Sequence, residues 1–262
     1  MYTYFDTHSH IHGKEFDADR AEALARMREA GIGTIAIGTG LKESEAAVAL
    51  AEKEADVWAT VGLHPADDPK EPFDRDAYRA LAAHPKVVAV GECGLDYYRL
   101  AGKSEAEKDR QKVLFKEHMI LARESGKPLV IHCRPSMGTA DAHEDMLTLL
   151  SKEKDLRGAI HFFTGTLEVA LRYTALGFHI SFPGVITFKG EFDGVIKGLP
   201  LEKLLVETDS PYAAPAPYRG KRNEPAFVRE TAEYLANLRE EGREAALSAL
   251  SENAEKLFRL TA

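Results

Sequence analysis

In Phe5-Asp6-Thr7-His8-Ser9-His10 two histidines stand two residues apart, directly after an apolar, strand-like start. Residues i and i+2 of an extended strand face the same side, so His8 and His10 are expected to aim imidazole nitrogens at one point, with Asp6 on that side too. That is a chelating geometry for a metal ion. Comparable residues recur at the ends of later apolar runs: His64 after 57–63, Glu92 closing 87–92, His132 closing 128–132, His161 within 159–163 and Asp209 closing 204–209. Without His64, these four histidines and two carboxylates form a nitrogen and oxygen donor set with no thiolate. Such a set suits Zn, Mn, Co or Mg rather than a closed structural zinc. Six donors exceed what one catalytic ion with an open position needs, so a binuclear site is expected, with Glu92 bridging ions about 3.5–4 Å apart. Ions of this kind bring the pKa of bound water toward neutrality, and Asp209 is placed to accept the water's proton as general base.

Bringing these residues together requires a particular order of elements. After the opening strand, apolar runs at 34–39, 57–63, 87–92, 128–132, 159–163, 178–182 and 204–209 alternate with helical spacing at 17–30, 42–55, 73–83, 104–125, 140–152, 168–176, 225–240 and 245–260. Eight strand-then-helix units predict an α/β fold, a (β/α)8 TIM barrel formed by one domain over 1–262. A doubly wound open sheet is the rival, and it would gather ligands at a single switch point. Barrel enzymes instead build their sites at the C-terminal ends of the strands, where the seven residues fall. His84, His118, His143 and His179 lie elsewhere and are read as solvated or hydrogen-bonded, while His12 borders the site.

A hydrophobic fraction of 44% is that of a globular protein with a sizeable core. No apolar run approaches the length of a membrane span, and Met1-Tyr2-Thr3-Tyr4 lacks the basic start and apolar block of a signal peptide. A soluble cytoplasmic protein without a membrane partner is expected, and a monomer. A net charge of −8 argues against a general nucleic-acid coat protein, while leaving room for a local phosphate-binding patch. Cys93 and Cys133 each follow a candidate ligand, so strand alternation turns both thiols toward the helix layer as free buried cysteines.

Asp6-Thr7-His8-Ser9-His10, Gly62-Leu63-His64-Pro65, Gly91-Glu92-Cys93-Gly94-Leu95-Asp96-Tyr97-Tyr98, Ile131-His132-Cys133-Arg134, Glu207-Thr208-Asp209-Ser210-Pro211-Tyr212 and Pro217-Tyr218-Arg219-Gly220-Lys221-Arg222-Asn223-Glu224-Pro225 together resemble the TatD family of metal-dependent hydrolases, essentially from end to end. The resemblance implies a barrel of the metallo-dependent hydrolase type and metal ligands at His8, His10, Glu92, His132, His161 and Asp209. It also implies deoxyribonuclease activity of the 3′ to 5′ exonuclease kind on DNA, and on RNA, with two divalent ions (Mg, Mn or Zn) as cofactors. The alternative is hydrolysis of a carboxylic ester or amide, such as D-aminoacyl-tRNA deacylation, because one metal pair can polarise a phosphoryl or a carbonyl oxygen.

This chain departs from the family pattern at His12, where an acidic residue is usual, in an insertion at 135–139, and in the form of His161-Phe162-Phe163-Thr164-Gly165. These border the site and bear on substrate preference more than on chemistry. On the substrate side, Arg134, Lys189, Arg219, Lys221 and Arg222 are candidates for phosphate, Arg134 and Arg222 foremost, since arginine offers it a two-pronged fork. His64 is a candidate hydrogen bonder to phosphate or leaving group, and Tyr97, Tyr98, Tyr212 and Tyr218 are candidates for stacking on unpaired bases.

Overall fold

Ile32-Gly33-Thr34-Ile35-Ala36 carries no charge, and all five residues are buried, as a strand covered on both faces requires. In the computed structural model, which describes residues 2–66, 71–100 and 105–260, eight such strands run in chain order round one sheet. They are β1 (Tyr4–Ser9), β2 (Ile32–Ala36), β3 (Val57–Val61), β4 (Val87–Asp96), β5 (Leu129–Arg134), β6 (Gly158–Ile160), β7 (His179–Phe182) and β8 (Leu204–Val206). Every neighbouring pair is parallel. The ring closes through a parallel bridge between Ser9 and Ser210, where Asp209 N–H donates to His8 O at 2.8 Å and His10 N–H to Ser210 O at 2.7 Å. Sequential order with closure is the (β/α)8 barrel and excludes the doubly wound sheet, whose order reverses at its centre.

The helices are α1 (Arg20–Glu29), α2 (Leu41–Lys53), α3 (Arg75–Ala82), α4 (Glu105–Ser125), α5 (Asp141–Leu150), α6 (Leu167–Ala175), α7 (Asp193–Gly198), α8 (Val228–Asn237) and α9 (Arg243–Phe258). Asp74 caps α3 by accepting from Ala77 N–H at 3.1 Å, and Thr166 caps α6 through Val169 N–H. The expected start of α4 at Ser104 lies outside the described residues. The irregular stretch after β7 contains α7, which the sequence pattern did not declare. Among the described residues no helix is long and apolar enough to cross a membrane.

Strand ends differ from expectation in an informative way. β6 and β8 stop at Ile160 and Val206, short of the expected ends, and beyond them Phe162 (φ 46°) and Asp209 (φ 53°) take left-handed backbone. β4 instead continues past Glu92 to Asp96, with Gly94 opposite His132 and Asp96 opposite Arg134 in the ladder to β5. Gly94 has φ 141°, and a Cβ there would stand 2.0 Å from His132 O. Only glycine lets β4 and β5 approach so closely, and that approach sets His132 beside Glu92.

Candidate metal centre

Glu92 lies at the centre of the barrel mouth. Its Oε1 is 3.0 Å from His132 Nδ1, 3.0 Å from His161 Nε2 and 3.6 Å from His64 Nε2. Its Oε2 is 3.5 Å from His8 Nε2. Asp209 Oδ1 is 3.5 Å from both His8 Nε2 and His10 Nε2. The two oxygens of one carboxylate thus meet different donors, Oε2 facing His8 and Oε1 facing His132 and His161, within one cluster in which the His8 and His161 rings stack at 3.8 Å and Asp209 joins His8 to His10. Glu92 occupies a point where the β4–β5 register shifts between Val90 and Cys93, an irregularity that re-aims a side chain. The Gly91–Glu92 peptide is cis.

The residues present fit divalent ions. His8 Nε2 and His161 Nε2 are buried and face Glu92 oxygens at 3.5 and 3.0 Å without a well-aligned hydrogen bond among the described residues, a costly state for polar atoms that an electrophile between them would relieve. Ligand atoms of His8, His10 and Glu92, and those of Glu92, His132 and His161, lie within 4.8 Å of one another. The far nitrogens of three of the four rings are occupied: His132 Nε2 faces Asp96 Oδ2 at 3.1 Å, His161 Nδ1 faces Glu207 Oε1 at 3.2 Å, and His10 Nδ1 faces Ile37 O at 3.3 Å, while His8 Nδ1 is buried without a hydrogen-bond partner among the described residues. A ring that donates its far N–H to a carboxylate or carbonyl presents a lone pair at the near nitrogen, the arrangement metal-ligating histidines adopt.

Asp96 and Glu207 were not singled out in the sequence as functional, although both stand inside the motifs. Glu207 also accepts from Phe162 N–H at 2.7 Å, which holds the turn that carries His161. Asp96 accepts from Arg99 N–H at 2.9 Å. Asp6 was expected beside His8 and His10 but does not join them. The β1–β2 register shifts between Asp6 and Ser9, breaking strict alternation. Asp6 instead accepts from Thr208 N–H and Oγ1, both at 2.8 Å, from Thr34 Oγ1 at 3.1 Å and from His8 N–H at 3.3 Å. Burial pushes its carboxyl up to about 8 against these hydrogen bonds. Its contribution is to fasten β8 to β1 beneath the site.

Electrostatics couple the cluster to protons. Burial opposes charge on every ring, but Glu92 and Glu207 hold His161 well above the ordinary histidine value. Asp96 and Glu92 raise His132, and Asp209 raises His10. His8 goes the other way, lowered by burial and by His161. Burial would raise Glu92, yet His161, His64 and His132 bring it well below the usual carboxylate range. Protons on the raised rings must leave before their lone pairs can reach an ion, so binding releases protons and weakens as pH falls. Apparent affinity for Zn or Mn, measured by competition with a chelating dye, is expected to drop tenfold or more between about pH 8 and about pH 6. A flat profile would mean that the rings are already neutral.

A cavity of about 800 Å³ opens over this cluster, lined by His10, His64, Glu92, His132, His161 and Asp209 and, toward the rim, by His12, Arg99, Arg134 and Tyr212. His64 Nδ1 accepts from Ala66 N–H at 3.2 Å. Arg222 is not brought to the cavity. Its guanidinium forks onto Asp19 at 2.7 and 2.6 Å, donates to Glu15 O and covers Phe16. Beside it Asn223 donates to Thr208 O and Tyr212 O, and Glu224 takes a two-pronged hydrogen bond from Arg26, so the 217–225 motif works as a clamp on the loop after β8. Arg219 and Lys221 lie over Phe188 and Tyr218. Lys189 does not line the cavity.

Of the four tyrosines, Tyr97 is buried with its hydroxyl on Asp145, and Tyr218 is stacked on Phe227. Tyr98 and Tyr212 are exposed. His118 is structural: its Nε2 accepts from Leu63 N–H at 2.9 Å, just before His64. His143 faces Cys133 and Tyr173, and His84 pairs with Glu52. Both cysteines are free and buried.

Residues 5–259 match the family described as TatD related DNase. Over 263 residues the chain is 38% identical to the uncharacterized metal-dependent hydrolase YabD of Bacillus subtilis (strain 168), covering 98% of this chain and 99% of that protein. It is 37% identical over 268 residues to the 3′-5′ ssDNA/RNA exonuclease TatD of Citrobacter rodentium (strain ICC168), with 98% of each chain covered. The crystal structure of YjjV, a TatD homolog from Escherichia coli K12, superposes with a TM-score of 0.89 at 29% identity over 99% of each chain.

Proposed function

This chain belongs to the TatD-related DNase family of metal-dependent hydrolases, and from that premise we propose that it is a 3′ to 5′ exonuclease acting on single-stranded DNA, and on RNA, with two divalent ions that His8, His10, Glu92, His132, His161 and Asp209 would hold. The observation that carries this reading is the sharing of one carboxylate, whose Oε2 meets His8 and whose Oε1 meets His132 and His161, while Asp209 meets His8 and His10. Ions of the Mg, Mn or Zn kind bound there would neutralise phosphate charge and make water acidic enough to ionise at ordinary pH.

The chain's own groups do the rest. Burial would raise the Asp209 carboxyl, but His10, His8 and His161 more than offset it and hold it below the usual value, so Asp209 is ionised and able to accept the proton of the attacking water. His64, on the far side of Glu92 from His8, supports the leaving oxygen. Arg134, exposed at the rim, offers its fork to a phosphate oxygen of the bound strand. A cavity of about 800 Å³ is large enough for a terminal nucleotide and open enough to receive a strand end.

The test is release of mononucleotides from 3′-labelled single-stranded DNA by the purified protein, first stripped with chelator and then supplied with Mg, Mn or Zn, beside a D-aminoacyl-tRNA reaction. Nucleotide release that vanishes with chelator and returns with an ion is expected. Intact DNA beside ion-dependent deacylation would move the reaction to a carbonyl centre.

A further inference from the structure

Tyr97 and Tyr98 are neighbours with opposite surroundings. Tyr97 is 2% exposed and its hydroxyl donates to Asp145 Oδ2 at 2.7 Å, whereas Tyr98 is 42% exposed. The guanidinium of Arg134 lies over the Tyr98 ring, 3.9 Å from its centroid. Among the described residues no carboxylate pairs with Arg134, in contrast to Arg222, Arg20 and Arg26, which are all committed to acidic partners. The pair therefore offers an exposed stack in which an unneutralised guanidinium covers one face of the Tyr98 ring and presents its own plane.

Its position is fixed by the barrel. Arg134 is opposite Asp96 in the β4–β5 ladder, and Tyr97 N–H donates to Arg134 O at 2.8 Å. The segment after Arg134 is tied down in turn, because Asp141 accepts from Ser136 N–H at 2.9 Å, Ser136 Oγ at 2.8 Å and Thr139 Oγ1 at 2.9 Å. Arg134 stands two residues beyond His132, and both Arg134 and Arg99 line the cavity.

We propose that Tyr98 and Arg134 form a base-stacking platform for single-stranded nucleic acid on the His132 side of Glu92, an inference that rests on the nuclease reading above. Every base has a π face, and stacking on an aromatic or guanidinium plane is tolerant of sequence. A paired base hides its faces in the duplex, so the platform selects unpaired ends. The guanidinium adds attraction for the phosphate next to the stacked base. Tyr98 and the guanidinium held on it thus set the preference for base-bearing strands, and the charge of Arg134 adds the preference for anionic ones.

The experiment measures equilibrium binding, by fluorescence anisotropy, of a hydrolysis-resistant phosphorothioate single strand to the Mg-loaded protein. The same strand with abasic residues at its 3′ end is measured in parallel. Wild type is expected to prefer the base-bearing strand roughly tenfold or more. Tyr98→Ala should bring that ratio toward one and Tyr98→Phe should keep it, while Arg134→Ala weakens both strands and lowers the ratio as well. Thermal melts of the variants show that they are folded. An undiminished ratio in Tyr98→Ala, or a wild-type ratio near one, overturns the platform. Because binding is read without turnover, a preference for the base-bearing strand in a protein that releases no nucleotides would leave the platform standing and sink the exonuclease reading, and release without the preference would do the reverse.

Discussion

Asp209→Asn is expected to lower kcat by about 10²–10⁴-fold, the range that loss of a general base produces, while substrate affinity changes only a few-fold. Asparagine is the appropriate replacement for a backbone reason. Asp209 has φ 53°, a left-handed conformation that asparagine adopts at lower cost than alanine does. Its N–H donates to His8 O at 2.8 Å and its carbonyl accepts from Tyr212 N–H at 2.9 Å. Those bonds do not involve the side chain, so the loop should stay in place. What changes is the charge and the ability to take a proton at an atom 3.5 Å from both His8 Nε2 and His10 Nε2. Single-turnover rates on 3′-labelled DNA separate this effect from binding. A rate within tenfold of wild type would leave Asp209 as a ligand and a turn former, with the base elsewhere.

The barrel was legible because each strand is an apolar run followed by helical spacing, and parallel strands buried on both faces leave little else for such runs to do. That the candidate donors converge was legible for a related reason: polar residues at the ends of apolar strands have few structural uses. What escaped was what depends on contacts between distant strands. Glu207 and Asp96 are acidic residues inside motifs, and nothing local says that one faces His161 and the other His132. The register shifts in β1 and β4 also hide from a period of two, which is why Asp6 was aligned with His8 although it turns to Thr34 and Thr208. Arg222 illustrates the opposite error. Its motif is specific, but Asp19 lies some two hundred residues earlier in the chain, and only folding shows that the pair is already made. Arg134, by contrast, leaves a strand that ends at the cavity, and its reach to the rim follows from β5 itself.

Glu92→Gln is expected to have an effect of comparable size, and on a different quantity. If Glu92 bridges two ions, a neutral amide at that point should reduce bound metal from about two ions per chain to well under one, because both donor groups share the lost charge. His132→Ala, which removes a donor from one side alone, should leave about one. Ion analysis after dialysis reads both results, and equal losses in the two variants would argue against a shared carboxylate. A second readout needs no metal. Glu92 is a principal cause of the raised His161 and contributes to the raised His132, with its Oε1 3.0 Å from a nitrogen of each. Without that charge both rings should titrate at lower pH in the metal-free protein, visible as an acid-ward shift of their imidazole resonances. His161 keeps Glu207 and His132 keeps Asp96, so the shift should be partial in each ring. A ring that moved all the way into the range of a buried, unpaired histidine would show that its far carboxylate does little to hold it. The same charge that raises these rings when metal is absent is the one that would attract cations when metal is present. Glu92→Gln should therefore weaken ion binding and lower its proton release together, a coupling that a merely structural role for Glu92 would not produce.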